Sequence, residues 1–591
     1  MMKNVRLILW VALALAVLVN YSTWVAEFGP RDAAIAAAAQ KAAEAEKVNK
    51  PLGAAIPQTA PTPATPTPAV GTVPATAGAT VPPASAPATP AAAPGAVPAT
   101  APAAAPAVSS GSLITVRTDA LDVDVNTQGG QLQRADLLFY PQVKGQPTPV
   151  RLLRHEGEGE QYLLQTGLAG SGNVPADAYP THLALFQSEA ASYVLREGSD
   201  EIRVPLTWTS ADGVKVIKTL VFHRGSYRID IEYAVENASQ AAWSVQSYAQ
   251  ILHDMPAVKR SYFNVDSYSF TGPAIYDGKK YQKLKITSKE DASLDRKITD
   301  GWVASLQHHF VVAVVPNRGE EDRYTMTARG DEYVVTTVGP TVTVAPGAMG
   351  SIKETLFVGP KLQRQLETIH KELGRAADFG IMTFLSKYLF WLLDKVHSIF
   401  NNWGVAIIVV TFLLKLLFYP LAETSGRSMA KMKLIQPRLK AIQEQYKDDR
   451  QKLGQAMMEL YKKEKVNPAA GCLPQLVQIP VFIAFYWVLL ESVEMRQAPF
   501  FGWLQDISSR DPYYVLPLIM AGAMLIQYKL NPAPPDPVQA KVMMILPIVM
   551  SVTFAFFPSG LVLYYVVNTL LTIAQQWNIN RRIAAAQTVR N

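Results

Sequence analysis

Five apolar runs, at about 403–421, 473–493, 513–528, 542–557 and 561–577, occupy most of the last third of the chain. Each approaches the roughly 20 residues with which a helix crosses a hydrocarbon core of about 30 Å. A segment in lipid must close its backbone hydrogen bonds within itself, so these runs predict a polytopic helical bundle. Two of them are short. The run 542–557 gives about 24 Å of helix at about 1.5 Å per residue, and 513–528 contains Pro517. Local thinning of the bilayer relieves a mismatch of this kind.

A sixth run, 7–26, follows Lys3 and Arg6. Its length and the interface-type residues Asn20, Tyr21 and Trp24 favour an uncleaved signal-anchor within 1–28, with a cytoplasmic N-terminus, over a cleaved signal peptide. Positive charge sets the remaining topology. The segment 422–470 carries eleven lysines and arginines, among them Arg427, Lys431, Lys433, Arg438, Lys440, Lys462 and Lys463. The segment 494–512 has only Arg496 and Arg510. Cytoplasmic loops collect basic residues, so the net charge of +7 reports orientation and implies no specific nucleic-acid partner. Both termini, 422–470 and 530–541 are then cytoplasmic, and the large segment between the first two spans lies on the other side. The single cysteine, Cys472, excludes an intramolecular disulfide there.

Residues 29–112 are Ala/Pro/Thr-rich and read as a disordered tether, although "AAIAAAAQKAAEAEK" also suits a helix. From Leu113 the pattern becomes period two, as in Leu121, Val123, Val125, then Val204, Leu206, Trp208, then Tyr227, Ile229, Ile231, Tyr233, Val235. With turn signals "SADG" at 210–213 and "APG" at 345–347, this predicts a large antiparallel β-sandwich over 113–358. A linker helix and an interfacial amphipathic helix follow over 359–400, the latter with a Phe384, Leu385, Tyr388, Leu389, Leu392 stripe. The five-span core is 401–580, and 581–591 forms a short basic tail with Arg581 and Arg582. Within the core, Met432, Ile435, Leu439, Ile442, Tyr446 and then Leu453, Met457, Leu460 recur at three and four, predicting a helical hairpin over 428–466 in which Pro437 can bend the first arm. The "FPSG" loop at 557–560 makes the last two spans antiparallel neighbours.

Enzyme signatures are missing: the chain has no Walker A sequence, H-E-x-x-H or G-x-S-x-G, so it reads as a non-enzyme without cofactor or metal. "DVDVN" at 122–126 lacks the glycine and closing glutamate of a calcium loop and reads as an ordinary strand. His253-Asp254 and His308-His309 have no nucleophile or metal set near them in sequence and read as core or surface histidines.

One charge stands inside an apolar run, Lys415 in "TFLLKLLFYP". A lysine at the bilayer centre costs about 3 kcal/mol, and such residues are functional by default. It also lies six residues from the cytoplasmic end, where its stem can snorkel to water, and on these grounds alone the two readings balance. Thr411 one turn away, with Gln475, Gln478, Gln527, Asn568, Tyr564 and Tyr565 in other runs, adds polar groups that would avoid lipid by turning inward together. The result is a polar, net-positive cavity without an acidic partner.

"TFLLKLLFYPL", "SMAKMKLIQPRLKAIQEQY", "VNPAAGCLPQLVQIPVF", "VEMRQAPF", "DPYYVLPL", "FPSGLVLYYVVN" and, in the β-region, "GWVASLQHHF" together resemble the YidC family of bacterial membrane protein insertases, of the Gram-negative type. The resemblance implies six transmembrane helices, a five-helix insertase core and a periplasmic β-sandwich. It implies a hydrophilic groove open to cytoplasm and lipid, which draws the polar segment of a nascent chain partway across the inner membrane without nucleotide hydrolysis. Lys415 then carries the basic role, with Thr411, Gln478, Gln527, Tyr564 and Tyr565 lining the groove. Relatives commonly have arginine at that position; lysine keeps the charge but loses the guanidinium's planar fork. Met432, Lys433, Arg438, Lys440, Lys462 and Lys463 on the hairpin are the implied partner contacts. Nascent membrane proteins, the Sec translocon and membrane lipids are the implied partners, with the ribosome and the signal recognition particle receptor left open. A secondary transporter is the competing reading, but the core shows no internal repeat and one lysine rather than acidic ion-coupling residues. A membrane-anchored periplasmic carbohydrate-active enzyme is the third.

Overall fold

The computed structural model describes residues 52–57, 111–155, 161–170, 178–255, 269–446, 449–464, 466, 473–530 and 537–588. The expected signal-anchor at 7–26 and most of the 29–112 tether lie outside the described residues.

The period-two segments form a sandwich of two sheets, with strands numbered from β1 (Leu113–Arg117) to β19 (Met349–Pro360). In the nine-stranded sheet β8 (Glu201–Thr209), β9 (Val214–His223), β10 (Arg228–Asn237), β19 and β16 (Phe310–Val315) lie side by side. In the ten-stranded sheet β18 (Glu332–Val344), β11 (Trp243–Asp254) and β5 (Gln161–Gly170) are neighbours. The predicted inward residues, including Val204, Leu206, Ile229, Ile231 and Val235, are buried between the sheets. "SADG" turns β8 into β9 and "APG" turns β18 into β19.

The charged residues buried in this core are hydrogen-bonded or have their titration shifted by burial. Lys218 is fully buried, and its Nζ donates to the carbonyls of Gly129, Gly130 and Thr166 at 2.7, 3.2 and 3.0 Å. Burial pushes the carboxyls of Glu354 and Asp322 up to about 7. "DVDVN" is strand β2 (Leu121–Asn126), as expected; Asp122 and Asp124 clamp Arg134 at 2.8 and 2.6 Å, and Asp136 holds it from the other side. His253 is a core histidine. It stacks on Tyr162 at 3.8 Å, shares its Nδ1 with Ser305 and Tyr333, and burial pushes its pKa down to about 3.

The tether expectation fails at one place. Residues 52–57 pack on the outer face of the ten-stranded sheet, where Leu52 is buried against Leu163, Leu252 and Val334.

The helical part starts with α1 (Thr383–Phe400), whose expected stripe divides between two faces. Leu389, with Phe390, Leu393 and Val396, is buried against the bundle, whereas Phe384, Tyr388, Trp391 and Ile399 are exposed. Asn401 takes the left-handed conformation and Asn402 caps α2 (Trp403–Leu417) by accepting from Val405 N at 3.0 Å, which reverses the chain between the two helices. At Phe418 the path bends by 67° into α3 (Tyr419–Gln445), with Pro420 in its first turn. The first hairpin arm is therefore continuous from residue 419, and Pro437 lies inside it.

The second arm is α4 (Arg450–Lys463). Ile435, Leu439, Tyr461 and Val466 form its buried seam, with Met432, Met457 and Leu460 partly buried beside them. The remaining runs become α5 (Leu473–Glu491), α6 (Val515–Leu530), α7 (Pro537–Phe554) and α8 (Ser559–Thr588), so α8 continues through Arg581 and Arg582. The last two helices are not simple neighbours: α6 packs on both, and they meet near the turn, where Phe554 lies 5.1 Å from Tyr565. Among the described residues no single helix is long and apolar enough to cross a membrane; α2 and α3 are so together, by length and composition, across their bend.

The sandwich sits directly on one end of the bundle. Arg496 donates to the carbonyls of Pro141 and Gln142 at 2.9 and 3.2 Å, Ser269 to Glu491 at 2.6 Å, and His308 to the Leu490 carbonyl at 2.8 Å. Between α5 and α6, Met495, Leu504 and Ile507 turn into the helical core and fill that end.

Candidate functional site

The helices α2, α5 and α8 converge on a pocket with a cavity volume of about 40 Å³, lined by Thr411, Lys415, Gln478, Tyr564 and Asn568 with apolar neighbours. It lies at the end of the bundle away from the sandwich. Lys415 is two residues from the end of α2, and Leu421 and Ala422 of α3 complete the wall just beyond the bend.

Its polar groups form a connected set. Lys415 Nζ donates to Thr572 Oγ1 at 2.8 Å, and that hydroxyl donates to the Asn568 carbonyl at 2.7 Å. Gln478 Nε2 donates to Asn568 Oδ1. Thr411 donates its hydroxyl proton back to Ile407 O at 2.6 Å, leaving oxygen lone pairs free to accept. Tyr564 stacks on Phe485 at 4.4 Å, which fixes its ring beside the pocket. Among the described residues no aspartate or glutamate belongs to the lining, and the lysine is held by the Thr572 hydroxyl. Such a site can attract an anion or hydrogen-bond a polar backbone. It holds no nucleophile–base pair, and among the described residues no cluster of three metal-ligating side chains occurs.

Of the six groove candidates, Lys415, Thr411, Gln478 and Tyr564 come together here. Tyr565 and Gln527 do not line the pocket. Consecutive helical residues point about 100° apart, so Tyr565 turns away from Tyr564 and packs on Phe482 and Phe554. Gln527 stands half-buried on α6. On the hairpin, Lys433, Arg438, Lys440, Lys462 and Lys463 are exposed, whereas Met432 belongs to the seam between the arms, and Arg438 pairs with Glu464 at 2.7 Å. Sequence reasoning missed Thr572. The signal available was spacing: Tyr564, Asn568 and Thr572 recur every fourth residue and so share one face of α8.

Two family models match consecutive parts of the chain, the YidC periplasmic domain over residues 113–392 and the 60Kd inner membrane protein over 395–586. A membrane protein insertase YidC of Thioalkalivibrio sulfidiphilus is 48% identical over 486 residues, covering 80% of this chain and 85% of that protein. Another, of Methylococcus capsulatus, is 48% identical over 476 residues, covering 80% and 86%. A crystal structure of an active YidC insertase with its first transmembrane domain resolved matches at 19% identity and a TM-score of 0.35, covering 79% of this chain and 94% of that one. With both halves of the chain matched and relatives nearly half identical over four fifths of it, the chain belongs to the YidC family of membrane protein insertases, proteins of the bacterial inner membrane with a periplasmic domain.

Proposed function

We propose that the chain inserts nascent proteins into the inner membrane through the pocket around Lys415, which serves as a positively charged hydrophilic groove. The observation that carries this reading is a lysine among three apolar helices, hydrogen-bonded to Thr572 and, among the described residues, faced by no carboxylate in the pocket lining. An unpaired cation in a low-dielectric cleft attracts the polar or acidic extracytoplasmic segment of a client and shortens its path across lipid. The client's apolar span then moves into the bilayer along the exposed Phe412, Leu413, Leu416 and Leu417 of α2.

In this reading α2 and α5 to α8, together with the N-terminal anchor, are six spans, both termini are cytoplasmic and the sandwich is periplasmic. The basic exposed surface of the hairpin meets incoming chains and partner machinery, the Sec translocon included, and insertion needs no nucleotide hydrolysis of its own. The protein acts as insertase and chaperone, alone or with the translocon.

Charge replacement tests it. Lys415→Glu should impair insertion of clients with acidic periplasmic tails, while Lys415→Arg is tolerated; protease protection of a radiolabelled client reads the difference. Equal insertion by the Glu variant would sink the electrostatic role. Site-specific crosslinking from position 415 to stalled single-span nascent chains is expected to give adducts at defined chain lengths, and none at any length would remove the groove.

A further inference from the structure

An exposed sheet face is ordinarily polar, yet β5, β11 and β18 carry apolar residues on the face turned away from the sandwich core. Their registers set three cross-strand rows. Leu163, Leu252 and Val334 form the first, Gln165, Gln250 and Thr336 the second, and Gly167, Tyr248 and Val338 the third. Successive rows are about 7 Å apart, two residues along a strand. The face therefore reads apolar, polar, apolar.

Residues 52–56 match that order. Leu52 packs on the first row, the Gly53 carbonyl accepts from Gln165 Nε2 at 3.3 Å and pairs with His182 Nε2 at 2.9 Å, and Ile56 packs against Tyr248 and Val338 of the third. A Cβ at Gly53 would meet Leu252 Cδ2 at 2.8 Å, so a larger residue there has to displace the end of that buried leucine.

The groups that receive the segment are oriented without it. Tyr248 holds His182 through the ring Nδ1 at 2.6 Å and the backbone N at 2.9 Å, so Nε2 is the nitrogen left to donate outward. Gln250 Nε2 donates to Gln165 Oε1 at 2.6 Å, and Gln165 also bonds Gln131 at 2.9 Å. All of these partners belong to the sandwich. The segment itself adds two aliphatic side chains and one carbonyl, and residues 58–112 separate it from β1. A contact of that size is held mainly by the high effective concentration of a tethered ligand, roughly millimolar.

We infer that this face is a preformed peptide-binding groove, occupied in cis by Leu52–Ile56 and able to take from a second protein a short segment with the same chemistry: a large aliphatic residue, a glycine directly after it and another aliphatic residue three positions further on. The inference does not depend on the insertase reading.

The test uses the full chain in detergent micelles. Leu52→Asp with Ile56→Asp empties the groove without touching the sandwich. A fluorescent peptide of residues 49–58, NKPLGAAIPQ, should bind this variant saturably in an anisotropy titration, and at least about tenfold more tightly than it binds the unaltered chain, whose own segment competes. The same peptide carrying Gly53→Val should lose binding, and a photo-crosslinker in place of Leu52 should map to β5, β11 or β18. Absence of saturable binding to the emptied variant would overturn the inference. So would equal binding to both chains, equal binding of the valine peptide, or adducts confined to the helical part.

Discussion

Lys415 reaches only as far as its partners let it. Thr572 Oγ1 fixes Nζ against α8, and because the threonine passes its own proton to Asn568 O, its lone pairs face the amine. Thr572→Val removes that acceptor while preserving shape. A hydrogen bond of this kind contributes about 1 kcal/mol, so insertion of acidic-tailed clients should fall roughly fivefold in the variant, less than in Lys415→Glu. An unchanged rate in the same protease-protection assay would show that the hydroxyl does not position the lysine. The lysine could be found in the sequence because a charge among leucines is conspicuous. Thr572 could not be found so easily: threonine is common in helices, and its role depends on which face of α8 meets α2, a tertiary fact. The same limit separates Tyr564 from Tyr565, adjacent in sequence and facing different surroundings.

Strands were legible because one buried face imposes alternation, and the buried set of β8, β9 and β10 follows it, with Val221 near the end of β9 as the exception. β5 was not, since both its faces are covered and its central residues are all buried. Elements also carry a pH dependence. Glu354 on β19 has an ordinary carboxyl pKa of 4.5 when unfolded and about 7 when folded, through burial, with Ser247 and Lys218 opposing the rise. Between those values the native state keeps a proton that the unfolded chain has released, so this group lowers stability as pH rises from 4.5 toward 7. Buried His253 works in the opposite direction, its neutral form losing ground to the protonated unfolded chain as pH falls below 6.5. The readout is therefore a difference: Glu354→Gln minus the unaltered protein. That difference should grow between pH 5 and pH 8, by up to about 3 kcal/mol in urea unfolding followed by tryptophan fluorescence. A difference independent of pH would mean that the carboxyl ionises normally in the fold.

At the scale of the molecule, sandwich and bundle are joined by the Ser269–Glu491 pair and by side-chain bonds to backbone carbonyls. Arg496 makes two of them and lies 5.7 Å over the Phe310 ring. Arg496→Ala should raise hydrogen–deuterium exchange around residues 139–150 and 494–506, while the Lys415 pocket keeps its protection. Equal exchange in both proteins would place the hold elsewhere, for instance at Ser269 and Glu491. At the other end the bend at Phe418 has a mechanical meaning. The hairpin arm α3 has 27 residues and extends about 40 Å from the bend, whereas Leu421 and Ala422 sit only about 5 Å beyond it. Swinging the hairpin tip by 8 Å thus shifts the pocket wall by about 1 Å and leaves the lysine's own helix in place. A displacement of the hairpin tip would reach the pocket wall reduced about eightfold.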